Sequence, residues 1–249
     1  MKIVFLPLKR STISQFLVIV FLCVLLFVFH KTEAITVLNP TIESPIYKGN
    51  QNYPIIAFEC NVVWGTEYVG PMLDILNEYD IRITFFIGGE WARDNPKLLK
   101  RMVAEGHELG NHGYSHKHHN NLNLEQNRKE IIDAEKVIEE ITGIKTCLFA
   151  PPYGEFNNIT LQAANSLGYR TIMWSIDTID WRRDGVDNII NRVMKNPHNG
   201  ALVLMHPTAD TVTALPIIIE RLQEQGYCIG SVSKAIAGTE DKNLHEKKR

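Results

Sequence analysis

The sequence predicts an α/β fold, a TIM-like (β/α) barrel of about seven strand–helix units, with a doubly wound open sheet as the structural alternative. Three observations carry this. Short apolar runs alternate with stretches of helical periodicity over short links, which implies a parallel sheet. Runs such as Ala201–Met205 (ALVLM) are apolar throughout, as strands buried on both faces must be. The 249 residues, 45% hydrophobic and 22% charged, suffice for one large barrel core without disulfide or metal staples.

The elements follow in order. Ile55–Cys60 reads as a strand and Pro71–Tyr79 as a helix with Met72, Ile75, Leu76 and Tyr79 on one face. Ile83–Ile87 is a strand. Asn95-Pro96 opens a helix through Val103, with proline in the first turn. His107–Asn111 is a short strand, and Leu124–Ile141 is the longest helix, apolar at Ile131, Ala134, Ile138 and Ile141. Thr146–Phe149 (strand), Asn157–Leu167 (helix closed by Gly168), Arg170–Trp174 (strand), a loop and Val186–Val193 (helix) come next. Ala201–Met205 (strand), Val212–Gln225 (helix ended by Gly226) and Tyr227–Ile229 (strand) complete the pattern.

The ends are separate objects. Phe16–Phe29 is an unbroken apolar run preceded by Lys2, Lys9 and Arg10, the layout of a secretory signal. It is short for a full membrane span. Residues 1–34 read as a cleaved signal peptide or an uncleaved membrane anchor, and both place the remaining chain outside the cytoplasm. Residues 35–53 read as a linker, 54–237 as the working domain and 238–249 as a charged tail. Cys60, Cys147 and Cys228, an odd number without tight spacing, make no disulfide framework. A net charge of -2 gives no reason to expect nucleic acid as a partner.

In a parallel barrel the chemistry sits at the C-terminal ends of the strands. His112 and His116 follow one strand, four residues apart; on a helical turn both imidazoles share a side and can share a metal, although surface pairs at this spacing also arise by chance. His206 follows an apolar strand, as a satisfied core histidine or as a proton donor oriented by Asp177. Pro151-Pro152-Tyr153-Gly154 is a rigid turn that either simply reverses the chain or aims an N–H at an oxyanion. Trp181 either stacks on a sugar ring or fills a gap, and His118 and His119 read as solvated loop residues.

Taken together, EGHELGNHGYSH, FAPPYG, WSIDTIDW and LVLMH resemble, in that order, the motifs of the polysaccharide deacetylase (NodB-homology) family of metal-dependent carbohydrate esterases, over about Ile55–Ile236. Trp64-Gly65 resembles the sporulation-associated branch in Gram-positive spore formers. The resemblance implies a distorted (β/α) barrel of seven or eight strands and removal of N-acetyl groups from a glycan such as peptidoglycan or chitin. It implies His112 and His116 as ligands of a divalent metal, zinc suiting them best, and His206 as general acid. Asp177 through Trp181 match its Asp-Trp motif, Pro152 and Tyr153 its oxyanion turn, and Leu204 its pocket wall.

The first motif departs from the family's Thr-Phe-Asp-Asp. Aligned through Trp64-Gly65, Asn61 stands for the general base and Val62 for the third metal ligand, while Ala150 replaces the arginine that pairs with the base. An amide has no useful basicity near neutral pH. Strand alternation puts Glu59 on the face of Asn61, so Glu59 is one candidate substitute base and Glu67 a second. The expected function is a slow or altered N-deacetylase; the alternative is a degenerate glycan-binding protein on the same fold.

Overall fold

The computed structural model describes residues 10–31 and 42–238, and the chain divides into two compact units, Met1–Thr41 and Ile42–Arg249. In the first, Arg10–Lys31 forms helix α1, which contains the apolar run Phe16–Phe29. The charged tail expected after Gly238 lies outside the described residues, as do residues 35–41 of the expected linker.

The second unit is a parallel barrel with an outer helical layer. Its elements are β1 (Ile55–Val62), α2 (Val69–Glu78), β2 (Thr84–Ile87), α3 (Gly89–Asp94), α4 (Pro96–Ala104), β3 (Glu108–Asn111), α5 (Leu124–Thr142), β4 (Leu148–Phe149), α6 (Asn158–Ser166), β5 (Arg170–Thr171), β6 (Ile176–Asp177), α7 (Val186–Met194), β7 (Leu202–Met205), α8 (Ala209–Glu224), β8 (Cys228–Gly230) and α9 (Val232–Ala237). The strands pair in the order β5-β4-β3-β2-β1-β7-β6, every ladder parallel, and β8 pairs with Ile55–Ala57 of β1. β5 and β6, consecutive in the chain, are the two ends of this path, so the barrel is distorted.

Local signals start and stop the helices as their residues dictate. Asn123 and Gln126 form a reciprocal capping box on α5, and Gly143 ends it in the left-handed region at φ 74. Asn157 and Thr160 cap α6 in the same way. Pro96, with no N–H to waste, opens α4.

Four expectations change. Residues 42–53 are not a free linker: Ile46 N–H donates to Thr171 O (2.9 Å), Met173 N–H donates to Ile46 O (2.8 Å), and Gly49 N–H donates to Gly200 O (2.7 Å). Ile46 thus occupies the edge beyond β5, and the five-residue strand expected at Arg170–Trp174 shrinks to two. β6 was hidden in an expected loop because two residues carry no periodicity. The six-residue helices α3 and α9 were missed for the same reason.

Alternation along β1 sorts its residues between two cores. Phe58, Cys60 and Val62 join the large cluster between sheet and helices, whereas Ile55 and Ala57 join an interior cluster with Phe86, Leu148, Leu202 and residues of α9. Glu59 and Asn61 continue the inward row. Glu59 is in register with Leu204, and Leu204 with Asp177, which sets these three in one layer of the barrel. The last inward residue of each strand then faces the open end.

Candidate active site

Asn61, Trp64, His112, His116, Tyr153, Gly154, Trp174, Asp177, Trp181, Leu204 and His206 line one cavity of about 470 Å³ at the C-terminal ends of the strands. The fragments around His112, His206 and Tyr153, far apart in sequence, therefore converge.

His206 directly follows β7 and is held by Asp180, not by Asp177 as the sequence suggested. Asp180 Oδ1 accepts from His206 Nδ1 at 2.7 Å; its Oδ2 accepts from the His206 backbone N–H (2.6 Å) and from Thr211 Oγ1 (2.6 Å). Asp180 is fully buried and begins a short 3-10 turn, Asp180–Arg182, after Ile179 adopts φ 52. That turn carries Asp180 under His206. Asp177 instead spends Oδ1 on the N–H of Ile179 (2.8 Å) and shows its carboxylate to the cavity, where burial raises its pKa. Two aspartates three apart in IDTID were both visible in the sequence; only the turn decides between them. Because Nδ1–H is committed to a carboxylate, Nε2 of His206 is the nitrogen that exchanges protons with a ligand. The indole of Trp64 stacks on the His206 ring (centroids 5.2 Å, 23°), a contact the sequence did not reveal.

His112 and His116 do approach, with ring centroids 5.1 Å apart, but not on a helix. His112 follows β3, and the chain turns back through Gly113 (φ 73) to His116, itself at φ 52. His112 Nδ1 donates to Ala150 O at 2.7 Å, leaving Nε2 with a free lone pair. Burial, reinforced by His116, holds His112 well below its ordinary pKa, and burial followed by the charge of His206 lowers His116 to about 4. Both are neutral at pH 7, as metal ligands must be.

The number of donors falls short. Among the described residues no group of three His, Cys, Asp or Glu side chains is placed to hold a metal. Val62 is fully buried in the outer core, on the opposite face of β1 from Asn61. Glu59 does point inward, 2% exposed, but it does not line the cavity and does not complete a cluster with the histidines. Burial, then the charge of Asp177, raises its pKa well above the usual carboxylate range. Glu67, the other expected substitute, is a solvent-facing cap: its Oε2 accepts from the Thr66 N–H (3.1 Å), and backbone bonds lower its pKa. Neither lines the cavity. Asn61, at the position aligned with the family's base, does line it, 6% exposed, its Oδ1 buried without a hydrogen-bond partner.

Pro151–Gly154 forms a tight turn beside the cavity. Tyr153 takes φ 60, ψ 5, and Gly154 φ 67. Gly154 N–H bonds Pro151 O and Glu155 N–H bonds Pro152 O, a pattern that leaves out the Tyr153 N–H. Glycine is required at 154 because a Cβ there would lie 2.5 Å from Trp174 Cη2. Pro152 is buried and not part of the lining; it shapes the turn. Tyr153 lies between His116 (4.4 Å) and His118 (4.0 Å, 9°), and His118 is oriented by Glu155 at 3.0 Å. His119 is not solvated; it is buried, with Nδ1 bonded to Asn127 Oδ1 at 2.6 Å. Trp181 is 58% exposed at the rim.

Residues 48–172 match the polysaccharide deacetylase family. The chain belongs to that family. Among its relatives, uncharacterized protein YlxY of Bacillus subtilis is 38% identical over 195 residues, covering 78% of this chain and 61% of that protein. This chain thus spans under two thirds of that relative. A peptidoglycan-N-acetylglucosamine deacetylase of Bacillus cereus is 37% identical over 175 residues, covering 68% of this chain and 82% of that protein. Among solved structures, a CE4 family pseudoenzyme from Bacillus anthracis aligns with TM-score 0.76 and 39% identity, covering 78% of this chain and 69% of that one. A mutant of that pseudoenzyme, described as having restored enzymatic activity, aligns equally well at 37% identity. The distorted parallel barrel is thus this family's fold, and the family's reaction class is hydrolysis of N-acyl C–N bonds in polysaccharides.

Proposed function

We propose that the cavity binds an N-acetylated cell-wall glycan, of the peptidoglycan or chitin type, and hydrolyses its acetamide slowly. One observation carries this reading: the acid side of the site is fully furnished, with His206 held by buried Asp180, while the base side ends in the amide of Asn61. Trp181, Leu204 and the Tyr153 ring offer apolar faces to a sugar. The Tyr153 N–H is the donor for the acetamide oxygen as charge develops on it. Water adds to the carbonyl carbon, and the C–N bond breaks. The leaving amine takes its proton from Nε2 of His206, whose imidazolium form Asp180 stabilises; acetate and a free amine result. Asn61 hydrogen-bonds the incoming water but takes no proton from it; that proton passes to bulk water, from which His206 is reprotonated after each turnover. General base catalysis is worth about 10²–10⁴-fold, so turnover is slow by that margin.

The family is generally metal-dependent. His112 and His116 have the right tautomer and protonation for a divalent ion such as zinc, but catalytic zinc takes three protein ligands. An ion bound there would polarise the carbonyl, and two imidazoles would hold it weakly.

A second reading, glycan binding without turnover, is favoured by the joint replacement at Asn61, Val62 and Ala150 and by the likeness to a pseudoenzyme. Acetate release from acetylated chitooligosaccharide and from peptidoglycan separates the two. Release that disappears in His206→Ala establishes the slow hydrolase. Glycan binding that depends on Trp181, with no release above the His206→Ala background, establishes the binding protein. We also place the chain outside the cytoplasm, on the basic-then-apolar N-terminal segment. Cell fractionation with N-terminal sequencing distinguishes a signal cleaved near Ala34 from an intact anchor.

A further inference from the structure

The inward row of β1 holds two oxygen atoms that no hydrogen bond of the protein satisfies. Glu59 Oε2 and Asn61 Oδ1 are both buried without a hydrogen-bond partner. They sit on one inward face of β1, two residues or about 6.6 Å apart along the strand. Asp177 lies in the layer of Glu59, across Leu204, and shows its carboxylate to the same cavity that Asn61 lines. The charge of Asp177 is felt at Glu59. Two carboxyl groups in one layer repel when both ionise, and the nearby cations are already engaged: Arg192 binds Asp184 and Thr178 O, and His206 binds Asp180. Unpaired buried acceptors are costly, and each needs a donor or a cation.

We propose that the barrel interior between the cavity wall and Glu59, which lies just behind that wall, is a site for a hard divalent cation of the magnesium, manganese or calcium class, held by oxygens of Glu59, Asn61 and Asp177. The donor set is all oxygen, two carboxyls and an amide carbonyl, with the remaining positions left to water from the cavity. That is hard-cation chemistry, distinct from the two imidazoles of His112 and His116, which suit zinc-like ions. The cation neutralises the repulsion between the carboxylates and satisfies both orphaned oxygens. Replacement of a basic carboxylate by Asn61 does not, on this view, leave the position idle; it supplies a neutral oxygen to a different ion. The proposal stands apart from turnover and is tested by binding.

Chelator-treated full-length chain is titrated with Mn²⁺ while free Mn²⁺ is followed by electron paramagnetic resonance. The expected result is a single saturable site that Ca²⁺ or Mg²⁺ displaces. His112→Ala leaves it unchanged. Glu59→Gln and Asp177→Asn each weaken it on the order of 10-fold or more, because each halves the ligand charge. Should Glu59→Gln fail to fold, Asp177→Asn carries the test. Absence of saturable binding overturns the proposal, as does binding that survives in both carboxyl variants or disappears in His112→Ala.

Discussion

Replacing Asp180 by alanine is the sharpest test of how the site is held together. Asp180 is fully buried and accepts from three donors, the His206 N–H, His206 Nδ1 and Thr211 Oγ1, at 2.6–2.7 Å. Alanine strands all three. Each buried donor left unpaired costs about 1–3 kcal/mol, with some relief from water entering the cavity. Breaking a buried charge-assisted pair costs about 3–5 kcal/mol in total, so we expect a loss in that range. The matched control is Asp177→Ala. Asp177 is half-buried and makes one hydrogen bond, to the Ile179 N–H, worth about 0.5–1.5 kcal/mol. Urea unfolding of the three proteins, with slopes checked for equality, gives the two differences directly. The Nδ1 proton of His206, followed by ¹⁵N NMR, should persist in Asp177→Ala and vanish in Asp180→Ala. If Asp180→Ala costs less than about 1 kcal/mol, or if Asp177→Ala costs more than Asp180→Ala, then His206 is not held as described.

Other consequences are equally direct. Asn61→Asp returns a carboxylate to the base position, and acetate release should rise by about 10²–10⁴-fold; a variant that binds glycan but stays at the parental rate would refute the account of slow turnover. Glu59 has a folded pKa raised above its ordinary 4.5, so its cost is absent at low pH and grows as pH rises and the unfolded state sheds its proton. In chelator-treated protein the stability advantage of Glu59→Gln over the parent should therefore widen from pH 5 to pH 8 (on the order of those values, bracketing the carboxyl range); a constant gap would contradict it. His107 and His116 are both lowered to about 4, so the stability they support is intact above the unfolded value of 6.5 and is lost as pH falls toward 4, visible as a falling urea midpoint. Gly154→Ala meets both a positive φ, costing about 1–2 kcal/mol, and Trp174 Cη2 at 2.5 Å; it should destabilise the chain and abolish glycan binding, and a neutral outcome would mean that the turn is not rigid.

Most of the barrel was legible because its strands are long enough to carry a pattern. ALVLM in β7 and the capped, periodic α5 announce themselves locally. β6, α3 and α9 did not, since two to six residues held in place by their neighbours have no periodicity of their own. Residues 42–53 looked like a linker because their pairing with β5, Gly200 and Ala235 is non-local.

For the site, residue types and spacing determined that His112, His116, Tyr153 and His206 gather at the strand ends, and that position 61 carries an amide where the family has a carboxylate. Those facts follow from order along the chain and from strand alternation. The fold alone decided which aspartate grips His206, that Val62 faces the helices, and that Glu59, although inward, stays off the cavity wall. Each of these depends on a turn or a barrel layer, where a shift of one residue reverses a side chain's direction, and no local pattern records that choice.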